Sequence, residues 1–132
     1  MSKISFPRMA VLQSLDQLTA SITPNRFISS RPNAVGEQMK EFLLISLNDI
    51  KDSADTYQLS RGRISIFVRD ISTSNGNVEN TLRLEQLQNE VLNLFPIVTD
   101  TYHGKRPLLV AGGTDGAGFH YLIIQFNITI LK

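Results

Sequence analysis

The stretch PLLVAGGTDGAGFHYLIIQFNITIL, residues 107–131, decides how this chain folds. Its second half alternates. His120, Leu122, Ile124, Phe126, Ile128 and Ile130 share one face, and Tyr121, Gln125, Asn127 and Thr129 fall on the other. One apolar and one mostly polar face describe an antiparallel strand covered on a single side. Residues 107–111 read as its hairpin partner and 112–118 as the turn, with Asp115-Gly116 a favoured turn pair. About twelve residues at roughly 3.3 Å each reach about 40 Å, whereas a compact chain of this size has a radius of gyration of about 14 Å. The strand must bend, bulge or project toward a neighbour.

Upstream, residues 78–95 place Leu84, Leu87, Val91 and Leu94 on one helical stripe, widened by Leu82, Leu92 and Phe95 and stopped by Pro96. Residues 61–70 alternate again, with Ile64, Ile66 and Val68 opposite Arg63, Ser65, Phe67 and Arg69. Between these two elements Asn75-Gly76 marks a turn. Within residues 37–47 the run Phe42-Leu43-Leu44-Ile45 suits a strand buried on both faces. Residues 6–20 predict a first helix, with Pro7 in its first turn and Val11, Leu12, Leu15 and Leu18 at helical spacing. Long connections fill 21–36 and 48–60, the former with a short extended piece at 26–29, and a loop fills 99–105. The expected order is α-β-β-α-β-β. That is an α+β fold, a two-layer sandwich with two helices on a mainly antiparallel sheet of about four strands, one domain over residues 1–132.

A chain of 132 residues with 42% hydrophobic and 19% charged content can bury a real core without covalent staples. Its net charge of +1 is too small for a nucleic-acid coat or an acidic-membrane anchor. With no cysteine, disulfides and thiolate metal sites are excluded. The N-terminal residues lack the apolar core of a signal peptide, and no apolar run is long enough to span a bilayer. Charge is unevenly placed. Residues 1–40 carry five basic and two acidic side chains, while 41–60 carry Lys51 against Glu41, Asp49, Asp52 and Asp55. Such opposite segments can steer one copy of a protein onto another.

No catalytic constellation stands out. The glycines of 112–118 match neither phosphate-binding pattern, and a strand follows them instead of a helix. His103 and His120 lack metal-ligand spacing, and neither has the local context of a nucleophile's base. Asp49, Asp52 and Asp55 lie in a polar stretch without the central glycine of a calcium loop. Neither a metal nor a cofactor is expected, nor an enzyme. The strand face of Arg63, Phe67 and Arg69 is the most suggestive surface. It fits a polar protein interface, and the alternative is a single-stranded nucleic-acid platform. A small ligand-binding domain, with a pocket around His120 or Asp115, is the other alternative.

The chain resembles the tail-terminator and head–tail joining (neck) proteins of tailed bacteriophages. The resemblance rests on an N-terminal helix, a long loop, the strands EFLLISL (41–47) and RISIFVR (63–69), the helix of 82–95 and the closing hairpin of 107–130. It implies a non-enzymatic virion subunit, made in the cytoplasm of the bacterial host. Its copies form a ring, commonly hexameric, that ends the tail tube and joins it to the head connector. The implied partners are further copies, the adjacent tube and connector proteins, and DNA in the ring lumen, with no membrane. Arg26, Arg31, Asp49, Asp52, Arg63 and Arg69 are then the expected contacts between subunits.

Overall fold

The computed structural model describes residues 7–31, 36, 38–54 and 57–131; the side chains of 49–54, 57–58 and 131 stand outside that description. In chain order the elements are α1 (Arg8–Leu18), β1 (Arg26–Ile28), β2 (Glu41–Ala54), β3 (Tyr57–Arg69), β4 (Ile71–Thr73), β5 (Gly76–Val78), α2 (Thr81–Leu92), β6 (Ile97–Val98), β7 (Tyr102–Thr114) and β8 (Phe119–Leu131).

The long strand β8 lies in the middle of the sheet. It pairs antiparallel with β3 from Phe119↔Arg69 to Leu131↔Tyr57 without a slip. Both strands alternate, so one register places Ile64, Ile66 and Val68 beside Ile124, Leu122 and His120 on the same face. The flanking ladders do slip. β2 bulges against β3 between Asn48 and Lys51 and again between Asp52 and Ala54. β7 bulges against β8 between Lys105 and Leu108 and between Leu109 and Ala111. Each bulge adds local twist, and the sheet curls. The reach of β8 is accommodated by that curl.

The sheet has six strands in the order β1-β2-β3-β8-β7-β6, and β4 and β5 form a separate hairpin around Asn75-Gly76. β1 runs parallel to β2, so the sheet is mixed. This overturns the expected two-layer α+β sandwich of four strands in the order α-β-β-α-β-β. Much of the expected loop at 48–60 continues β2 and begins β3, and most of the expected loop at 99–105 begins β7. The turn at 112–118 shrinks because β7 runs on to Thr114. Pairing with a regular neighbour extends strand geometry into polar sequence that carries no alternation of its own.

Both helices lie on one face. Val11, Leu12 and Leu15 from α1 and Leu84, Leu87 and Val91 from α2 join Leu43, Ile45, Ile64, Ile66, Ile124, Phe126 and Ile128 in one core. Asn80 caps α2, its side-chain oxygen accepting from the Arg83 N–H at 3.2 Å. Asn80→Ala is expected to cost about 1 kcal/mol, read as a lower urea midpoint. An unchanged midpoint would show that the helix start is held by other groups.

The opposite face has its own apolar cluster, Phe42, Phe67 and Phe119, with Phe27, Met39, Leu44 and Tyr121 packed around it. Phe42 stacks on Phe67 at 4.5 Å and meets Phe27 and Phe119 edge-on at 5.5 and 5.4 Å. Phe67 is therefore buried, not displayed on an outer face. β2 is buried on both faces at Phe42, Leu43 and Ile45.

Candidate functional site

All four of the expected interface arginines make bonds inside the chain. Arg26 donates to the Asp16 carboxylate at 2.9 Å and to the Thr23 carbonyl at 2.7 Å, tying β1 to α1. Arg69 lies over the Phe119 ring at 4.5 Å and donates to the carbonyls of Met39 and Gly36. Arg31 lies over the rings of Phe67 and Phe42 at 4.9 and 5.4 Å and donates to Asp115 at 2.9 Å. It joins the segment before β2 to the β7–β8 turn across the aromatic cluster. Arg63 stands on the sheet face, bonded to Gln125 at 3.1 Å on the neighbouring strand. Asp49 and Asp52 belong to β2, with side chains outside the described set. The six residues do not converge on one spot.

Asp115 is the best-held carboxylate, with its side chain 5% exposed. Burial opposes its ionisation. Against that, the Ala117 N–H at 2.7 Å, the Arg31 guanidinium and the Phe119 N–H at 3.0 Å hold its pKa below the ordinary aspartate value. A lowered carboxylate pKa contributes stability above the unfolded value of about 3.9 and loses it as pH falls through the folded value. Asp115→Asn is expected to flatten the acid limb of the stability–pH curve below about pH 4. Arg31→Ala should cost about 1–2 kcal/mol at neutral pH, since it strands a buried carboxylate and removes a stacked cation. Urea titrations across pH measure both. A parallel acid limb in Asp115→Asn would contradict the assignment.

Two further pairs join Glu41 to Arg83 and Asp70 to His120. Glu41 accepts two bonds from Arg83, at 2.7 and 2.8 Å, in a cleft of about 240 Å³ beside Lys40, Arg69 and Asp70. His120 Nδ1 donates to Asp70 at 2.6 Å, an arrangement shared with catalytic dyads. The bonded serine hydroxyls point elsewhere, Ser14 to the buried Tyr102 and Ser60 to the Asn48 carbonyl. Burial raises the Tyr102 pKa, and the Ser14 bond opposes that shift. Among the described residues, no group of three His, Cys, Asp or Glu side chains could hold a metal ion, and no helix is long and apolar enough to cross a membrane.

The unspent feature is an edge. β6 pairs with β7 only at His103 and Gly104, and beyond them no described strand covers β7 on that side. There Leu108, Leu109 and Val110 are 53%, 50% and 40% exposed, three consecutive apolar side chains. Upstream, Lys105, Arg106 and Pro107 occupy the bulge, with Arg106 at φ 59. Charge, proline and a bulge are the usual protections of an edge strand. Leu108–Thr114 has no charge and no proline, only the second bulge. Sequence reasoning placed a strand here but not at an edge. Pro107 was the available signal, since proline within a strand favours edges. A scan against protein-family models returns no match for the sequence, and a search of curated proteins returns none either.

Proposed function

We propose that the chain is a structural subunit whose copies close into a ring at the phage head–tail connection, as its resemblance to tail-terminator and neck proteins implies. The observation that carries this reading is the uncovered apolar stretch of β7, Leu108–Val110. An exposed apolar edge recruits another chain or aggregates, and a subunit built for assembly has a use for it. Arg63, Asp49 and Asp52 stay within the proposed contacts. The tube and connector proteins would meet the faces of the ring, with DNA in its lumen, in the virion.

The nucleic-acid alternative draws less support. Phe67 is only 7% exposed beneath Arg31, so its ring is not offered to a base. Size exclusion with light scattering over a concentration series, followed by negative-stain imaging, tests the ring. Closed particles, commonly of six subunits in the family it resembles, are expected. A strict monomer at high concentration would overturn the reading.

A further inference from the structure

Among the described residues, two stretches of the sheet lack a strand partner on one side, and they sit at diagonal corners. On one edge, β1 reaches β2 only at Leu43–Ile45. Asn25 and Arg8 side chains bond the neighbouring carbonyls of Glu41 and Leu47. From Asn48 to Ala54 no described strand pairs with β2 on that side. On the other edge, β6 covers His103–Gly104 and no described strand covers Lys105–Thr114. The ladders fix the relative placement. Ala54 aligns through Tyr57 and Leu131 with the β6-covered end of β7, whereas Thr114 aligns through His120 and Val68 with Glu41, near the β1-covered end of β2. Each edge is shielded for part of its length, and the open parts lie at opposite ends.

We propose that these open stretches pair between copies, Leu108–Thr114 of one subunit with Asn48–Ala54 of the next, so that one sheet continues around the assembly. This rests on the ring reading above. Three successive antiparallel ladders make β2 and β7 run in opposite directions. A second copy in the same orientation, shifted along the strands, therefore meets β7 with an antiparallel β2, the more stable pairing. The two surfaces differ, so the contact is head-to-tail, the kind that closes into a ring when the rotation between successive copies brings the last back to the first. Antiparallel pairing also brings the start of the β7 stretch beside the finish of the β2 stretch. Exposed Lys105 and Arg106 precede the first, and the second carries Asp49 and Asp52 against Lys51. In that register Asp52 falls opposite Val110 and Asp49 opposite Gly113, so the charges of the β2 stretch meet the uncharged β7 stretch, while Lys105 and Arg106 lie past Ala54.

Two full-length variants test the pairing by light scattering and negative stain, with melting temperature as the check on folding. Leu109→Lys blocks the β7 stretch at a half-exposed position, and Val110→Lys replaces it if that variant melts early. Asp49→Lys with Asp52→Lys blocks the β2 stretch. Each alone should associate roughly thirtyfold more weakly, or less still. Mixed in equal amounts they should form a 1:1 dimer and nothing larger, because one intact β7 edge meets one intact β2 edge. Rings persisting in either variant, or a mixture that stays monomeric, would overturn the edge pairing while wild-type rings keep the ring reading. A monomeric wild type would overturn both.

Discussion

Phe126→Ala is expected to remove about 3–5 kcal/mol of stability, a fall in melting temperature of roughly 10–20 °C for a domain of this size. Phe126 is 1% exposed, packs against Phe95 at 4.7 Å and lies directly over Gly62, its partner on β3. A Cβ at residue 62 would stand 2.5 Å from the far carbon of the ring. The glycine is there because the aromatic ring occupies the space its side chain would fill. Gly62→Ala alone should therefore cost about 1–3 kcal/mol by overpacking. In Phe126→Ala the two closest clashes are gone and only Ile128 Cδ1, at 2.9 Å, still crowds the methyl, so the double variant should lose less than the two single losses combined, by about 1 kcal/mol. Urea titration of the four proteins measures the coupling. Strict additivity would show that the ring does not cover Gly62.

Phe42→Ala should be as damaging, about 3–5 kcal/mol, although it lies on the face away from both helices. It is fully buried, stacked on Phe67, edge-on to Phe27 and Phe119, and beneath the Arg31 guanidinium. Aromatic pairs of this geometry contribute about 0.5–1.5 kcal/mol each beyond burial. Phe42→Leu keeps most of the volume and should cost less than half as much, since only the ring contacts go. Thermal unfolding followed by circular dichroism suffices. A loss below about 1 kcal/mol for Phe42→Ala would mean that the second face contributes little beyond shape.

What could be read from the sequence was what repeats. Ile64, Ile66 and Val68 and the even positions of β8 announce strands by alternation, and Leu84, Leu87 and Val91 announce a helix by spacing. The distal half of β2 could not be read this way. Asn48, Asp49, Lys51 and Asp52 are extended because β3 pairs with them, a constraint absent from local composition. Tyr102 to Gly104 hid the start of β7, with a glycine where Ile97 packs close. The arginines misled for another reason. Arg31 and Arg69 look like surface charge in sequence, yet both lie over aromatic rings contributed by strands distant in sequence. Only the sheet brings those partners together, so no one-dimensional spacing could have found them.

The central position of β8 also sets a schedule for synthesis. β3 leaves the ribosome about fifty residues before β8 begins, a wait of roughly 3–10 s at bacterial or eukaryotic elongation rates. Throughout that interval the nascent β2–β3 hairpin presents β3 bare on the side where β8 will dock. Two emerging chains on one message would find each other's β3 before their own β8, so slow elongation through residues 70–118 should favour strand-exchanged pairs over correctly folded monomers.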